Sequence, residues 1–321
     1  MTVHKDYDLS QLLWYKIGGK AKYLLACSNE EDVKEAIAFI HENNIHKVFV
    51  CGMGSNLIFS DNYFNGAVIH LVKKKESSIV LIKDIFIEAF AGESFGDVIL
   101  FSLDHGLVGL EWAGGLPGTL GAAVRGNVGA FGGEIKDRLI SASILDYSGR
   151  QPKLATFTND QFAFVYRGSL VKTHKKMIVI SARFALHKGR PEEVAAAKQV
   201  YHRNIQFREA RHPLEYPNCG SVFKNLRDKD QIEKVLQVYP DLKEDVEKRW
   251  YGKIAVASLI ERLGLKGYRV GGAQVSEKHA LFIVNRGHAT AKDVLHVIAD
   301  IQKKFEKTFG FQLDLEVEVV R

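Results

Sequence analysis

Ala113–Glu134, AGGLPGTLGAAVRGNVGAFGGE, is the stretch on which the fold reading turns. Ordering glycine at this density costs conformational entropy that a mere connector would not recover. Leu116, Leu120, Val124, Val128 and Phe131 stand among the glycines, which argues against a floppy linker. Such a segment lets a ligand come close to the backbone, with phosphate oxygens accepting from exposed N–H groups. A shorter glycine loop, Gly52-Met53-Gly54-Ser55-Asn56, follows the strand-like run Lys47–Cys51. It is no dinucleotide fingerprint, because Leu57 occupies the place of the third glycine in GxGxxG. By itself this loop reads equally well as a plain tight turn.

The flanking sequence alternates strand and helix patterns. Tyr23–Ala26, Ala67–Val72, Ser78–Ile82, Phe86–Ala91, Ile140–Tyr147, Met177–Leu186 and Ala280–Val284 are strand-like. Ser28 and Glu31 predict a capping box at the start of a helix that carries Val33, Ala36, Ile37 and Ile40 on one face. A helix from about Ser94 to His105 stops at Gly106, and one over Val256–Leu263 closes at Gly264. Arg190–Arg211 reads as a long polar connecting helix and the domain boundary. The last helix begins near Thr290, capped with Asp293, and carries Val294, Ile298, Ile301, Phe305 and Phe309 at helical spacing. A terminal strand, Leu313–Val320, follows.

At 321 residues the chain is too long for one ordinary core. Its composition, 46% hydrophobic and 26% charged, is that of a globular protein. The formal charge of +6 is mild, and Lys and Arg are spread among Asp and Glu, so a solvated mixed surface is the plain reading. A locally basic site for an anionic ligand is compatible with it. Nucleic-acid binding is disfavoured, because no basic block with interleaved aromatics occurs. Three cysteines, Cys27, Cys51 and Cys219, cannot form a disulfide framework and fit a reducing compartment. No metal motif is present, so no metal centre is expected. The opening MTVHKDYDLSQ has no apolar signal-like run, and no apolar stretch is long enough to span a bilayer. A cytoplasmic protein without membrane insertion is expected, of unspecified oligomeric state.

The two glycine loops, in this order, resemble the FAD diphosphate-binding loops of the UDP-N-acetylenolpyruvoylglucosamine reductase (MurB) family. The resemblance extends through Ile17–Ala21 (IGGKA), Phe164–Ser169 (FVYRGS), Cys219–Asn225 (CGSVFKN), Leu265–Gly267, Gly271–Ala280 (GGAQVSEKHA) and Leu313–Val317 (LDLEV). The joint order of these pieces is far more specific than any one of them. The segments YPNCGSVFKN and LKGYRVGGAQVSEKHA look like the family's shorter, type II branch. Leu315 takes a place where the family usually carries proline.

The fold this resemblance implies is α+β: an FAD-binding fold of the p-cresol methylhydroxylase/vanillyl-alcohol oxidase type plus a C-terminal α+β substrate-binding domain. The expected division is 1–70 as an N-terminal α/β part of the FAD-binding region, 71–200 as the FAD-binding domain, and 201–321 as the substrate-binding domain with the terminal strand. Implied cofactor contacts fall on Gly52, Met53, Gly54, Ser55, Asn56 and Leu57. They continue on Gly114, Gly115, Leu116, Pro117, Gly118, Thr119 and Gly121, with Asn127, Gly129, Ala130 and Gly133 beside them. The glycine loops contain no His or Cys to which a flavin could be attached, so FAD is expected to be held without a covalent bond.

The implied reaction is an oxidoreductase step of peptidoglycan precursor synthesis. NADPH, the co-substrate, delivers hydride to the flavin, and UDP-N-acetylglucosamine enolpyruvate is then reduced to UDP-N-acetylmuramate. Arg167 matches the cation that faces the substrate carboxylate, Ser221 the proton donor, and Glu316 the C-terminal catalytic glutamate, with Glu318 as its fallback. Beside a carboxylate, a protonated Glu316 could donate a hydrogen bond where an ionised one would repel. Tyr166, Lys224, Asn225 and His279 match the substrate side. The partners implied are small molecules. A flavin oxidase of the same fold, or a catalytically silent flavin-binding module, would not need the Arg, Ser and Glu set.

Overall fold

The computed structural model describes residues 1–149 and 151–321. They form two compact units that interleave along the chain. The first comprises Met1–Tyr7, Ala21–Met53 and Phe64–Ala210, and the second Asp8–Lys20, Gly54–Tyr63 and Arg211–Arg321. Residues 1–70 are thus shared between the units, and the helix Pro191–Arg211 runs up to their junction at 210.

In the first unit, strands Lys20–Cys27, Phe64–Leu71 and Val48–Cys51 pair in parallel, with Thr2–Asp8 at the edge. Phe64–Leu71 is the central parallel strand and is almost wholly buried, as its near-continuous apolar run requires. Helix Glu30–Glu42 buries Val33, Ala36, Ile37 and Ile40 as the periodicity predicts. Its N-cap is Asn29, one residue later than the expected Ser28. Asn29 Oδ1 accepts the Asp32 N–H at 2.9 Å, while the Ser28 N–H and hydroxyl both donate to Asp32 Oδ2. Two adjacent residues could cap, and the one in extended backbone whose side chain reaches the third helical N–H does so.

A five-stranded antiparallel sheet completes this unit, in the order Lys153–Thr158, Leu139–Asp146, Met177–Ala185, Phe86–Phe90, Val80–Ile82. Helices Phe95–Asp104 and Leu120–Arg125 lie close to its strands, and the first ends at Gly106 with φ of 73°. Both sheets share one apolar core that includes Ile37, Ile69, Phe95, Leu120 and Phe184.

The second unit is built on an antiparallel sheet ordered Asn218–Ser221, Phe282–Asn285, Ala273–Val275, Arg269–Val270. Helix Ala291–Phe309 opens with the Thr290/Asp293 capping box and buries all five residues of the predicted stripe. The terminal segment is less regular than expected. Only Glu318–Val320 forms a regular strand, parallel to Leu57–Phe59. Before it, Asp314–Glu316 runs antiparallel to Val222–Lys224 through the bridge Phe223–Leu315. The Leu315 N–H is not used in that pairing, so a residue without an N–H would fit the same place. Among the described residues no helix is long and apolar enough to cross a membrane. Cys219 is buried, and burial pushes its thiol far above the ordinary range, so it makes no nucleophile.

Candidate active site

In the first unit Gly52, which opens the shorter glycine loop, meets Thr119 of the longer one. A Cβ on Gly52 would lie 2.2 Å from Thr119 Oγ1, and one on Gly114 would lie 2.3 Å from the Tyr201 carbonyl oxygen. The place of a Gly133 Cβ is likewise taken by the Trp112 ring. Part of the glycine content therefore serves contact within the protein rather than approach to a ligand. A different property of the loops points outward. Among the described residues, the N–H groups of Met53, Gly115, Gly118 and Thr119 meet no hydrogen-bond acceptor. Thr119 is only 3% exposed, and a buried N–H without a partner is rare. Donors left open along glycine-rich backbone suit phosphate oxygens.

The long helix Pro191–Arg211, read from sequence as a connector, is the clamp on this loop. Asn204 is buried and donates from Nδ2 to the carbonyls of Glu111 and Trp112, at 3.4 and 3.1 Å. One turn on, Arg208 Nε donates to the Gly114 carbonyl at 2.9 Å, and its guanidinium lies over the Phe131 ring. Burial, with Arg167 nearby, lowers the Arg208 pKa to about 10, which leaves it charged at neutral pH. The face carrying Tyr201, Asn204 and Arg208 repeats at helical spacing, but two of the three are polar, so an apolar-period reading passes over it. Arg208→Met should cost about 1.5–3 kcal/mol, the scale of a lost charge-assisted hydrogen bond. A lowered urea midpoint would register that loss, and an unchanged midpoint would show that the bond contributes nothing.

Asn127 is fully buried and left-handed, with φ of 43°. Its Nδ2 donates to Glu134 Oε2 and to the Val165 carbonyl, and its Oδ1 accepts the Lys136 N–H. The side chain expected beside the cofactor is therefore committed to joining this loop to the hairpin Val165–Gly168. That hairpin closes through reciprocal Val165 and Gly168 backbone bonds and presents Tyr166 and Arg167 at its tip. The Arg167 guanidinium lies 5.2 Å from the Tyr166 ring centroid. A Cβ on Gly129 would run into Glu134 Cγ and the Gly133 carbonyl oxygen, at 2.7 and 2.8 Å, and Arg167 Nη1 lies just beyond them at 3.4 Å.

The second unit brings Ser221 and Glu316 into neighbouring backbone. The Glu316 N–H donates to the carbonyl of Val222, the residue after Ser221. Glu318, the alternative register, instead donates its N–H to the Asn56 carbonyl and enters the parallel pair. Asn56 also donates from Nδ2 to the Glu316 carbonyl, so the end of the first glycine loop holds the glutamate segment. Gly220, with φ of 78°, sits in a β-bulge immediately before Ser221. Among the described residues the Ser221 hydroxyl has no hydrogen-bond partner, and Lys224 forms no ion pair. Asn225 Oδ1 accepts the Val256 N–H, the first of the helix Val256–Arg262. His279 packs edge-on against His212 and Phe282, and its Nδ1 accepts the Leu281 N–H. Burial lowers its pKa, leaving a neutral ring with the proton on Nε2.

Comparison with known proteins matches two domain families. Residues 21–154 match an FAD binding domain, and residues 212–320 match the UDP-N-acetylenolpyruvoylglucosamine reductase C-terminal domain. UDP-N-acetylenolpyruvoylglucosamine reductase 2 of Bacillus cereus is 36% identical over 319 residues, 99% of this chain and 92% of that protein. The chain belongs to the UDP-N-acetylenolpyruvoylglucosamine reductase family. The Listeria innocua reductase is also 36% identical, over 100% of this chain and 95% of its own. A crystal structure of the Thermus caldophilus reductase (MurB) covers 100% of both chains, with a TM-score of 0.75 and 26% identity. Within this reductase family assignment, Ser221 and Glu316 lie inside the C-terminal match and both glycine loops inside the FAD-domain match. Arg167, Lys172, Asn204 and Arg208 fall in the stretch between the two matched domains.

Proposed function

We propose that this chain catalyses the NADPH-dependent reduction of UDP-N-acetylglucosamine enolpyruvate to UDP-N-acetylmuramate, in the cytoplasm, for peptidoglycan precursor synthesis. The observation that carries this reading is the full-length likeness to two reductases of that name. The unbonded N–H groups of Met53, Gly115, Gly118 and Thr119 fit the diphosphate of FAD, with Gly54, Ser55, Asn56 and Leu57 continuing the same loop. When bound, FAD supplies the hydride relay between NADPH and the substrate double bond.

The chain's own residues answer the charge and proton demands of the substrate. Hydride addition to the vinyl carbon leaves negative charge on the adjacent carbon, delocalised into the carboxylate. Arg167 offers a planar fork to that carboxylate and meets the charge as it develops. Ser221, whose hydroxyl has no hydrogen-bond partner among the described residues, donates its proton to the carbanionic carbon. Glu316, on the backbone paired with Val222, adds a hydrogen bond to the carboxylate when protonated. Lys224 brings a cation for the diphosphate, and Tyr166, Asn225 and the Nε2–H of His279 orient the remainder.

The visible spectrum of the purified protein tests this reading. A yellow flavin band should bleach with NADPH and return on adding the enolpyruvyl substrate under anaerobic conditions. No return of the band would refute the assignment of substrate. Acid precipitation should release all the flavin into the supernatant. Colour that stays with the pellet would contradict non-covalent binding.

A further inference from the structure

We propose that Lys172 is a positioning residue that holds Arg167 in its working conformation, an inference that rests on the reaction proposed above. Arg167 has φ of 58°, a left-handed backbone that a long side chain adopts at a steric cost. Turns with positive φ at this place ordinarily take glycine or asparagine. Such an outlier persists only where its surroundings over-determine it, and three contacts do so here. The hairpin is closed on itself by Val165 and Gly168. Asn127 Nδ2 donates to the Val165 carbonyl at 3.1 Å. Lys172 Nζ donates to the carbonyl of Arg167 itself at 2.7 Å.

The third contact is unusual for a lysine. Lys172 lies five residues beyond Arg167, in the short helix Leu170–Thr173, and is half-buried. A lysine gives up side-chain freedom when its ammonium is held against one carbonyl. The helix that aims it is anchored at both levels. Ser169 accepts the Lys172 N–H and donates its hydroxyl to the Arg125 carbonyl, at 3.2 and 2.7 Å, and Val171 is buried beside them. The ammonium thus locks the peptide unit that follows Arg167. Loss of that bond frees the peptide to rotate and lets the guanidinium swing from its place beside Gly129 and the Tyr166 ring.

A double-mutant cycle on the FAD-loaded protein tests this. Lys172→Met should leave flavin bleaching by NADPH within about twofold of normal and slow reoxidation by the enolpyruvyl substrate roughly tenfold or more. Calorimetric titration of the oxidised protein with UDP-N-acetylmuramate should show affinity lost by a similar factor. Lys172→Arg, which restores a cationic donor, should recover most of both. In an Arg167→Met background, Lys172→Met should add almost nothing, because its effect passes through Arg167. The same fall in both backgrounds, or an equal fall in both half-reactions, would overturn the proposal. A neutral Lys172→Met with a damaging Arg167→Met would overturn it while leaving the proposed reaction intact. A neutral Arg167→Met would defeat the reading of the reaction and this inference with it.

Discussion

Ser221→Ala should leave the bleaching of the flavin band by NADPH nearly normal and slow its return with the enolpyruvyl substrate by roughly 10²–10⁴-fold, the range for a lost general acid. The argument runs from acidity. A serine hydroxyl is a weak acid and transfers its proton only to a strongly basic centre, which the substrate carbon becomes once hydride has arrived. The NADPH half-reaction transfers no proton to substrate carbon and has no use for it. The structure adds a second reason: among the described residues this hydroxyl meets no hydrogen-bond partner, so alanine removes a reacting group without breaking a hydrogen bond. Ser221→Cys should recover part of the rate, since a thiol also donates a proton. Stopped-flow absorbance at the flavin band separates the halves. Equal loss in both would make Ser221 structural, and loss in neither would remove this segment from the reaction.

Arg167→Met should slow the same second half by roughly 10²–10³-fold, the scale on which one electrostatic stabiliser of developing charge is lost. Methionine keeps much of the stem's apolar bulk and removes the charge and all five donors. Arg167→Lys should recover only a fraction of the rate, because a single ammonium cannot reproduce a bidentate fork. The left-handed backbone makes the comparison informative in another way. Arg167→Gly would relax the strain while deleting the cation, so it should raise or preserve the urea midpoint and still lose the second half-reaction. A variant that lost stability and rate together would instead tie Arg167 to the fold rather than to the chemistry.

Local signals determined much of this protein without any tertiary information. The helix Ala291–Phe309 is legible because its apolar residues recur at helical spacing behind a Thr290/Asp293 cap, and both properties live within one element. Gly106 and Gly264 mark helix ends for the same reason, since positive φ after a helix is a local demand. The family was legible because ordered short motifs survive in sequence even where overall identity is modest. The tertiary structure decided what depends on groups distant in the chain. Asn204 and Arg208 fasten the glycine loop at Glu111–Gly114 from more than ninety positions away. Asn127 joins a loop to a hairpin 38 residues on, and its role as a tie is invisible until Val165 is placed against it. That the Glu316 N–H meets Val222 while the Glu318 N–H meets Asn56 is likewise settled only by tertiary placement. Hydrogen-bond partners across such distances leave no periodicity in the sequence, because a polar side chain on a helix or loop looks the same whether it faces water or a buried carbonyl.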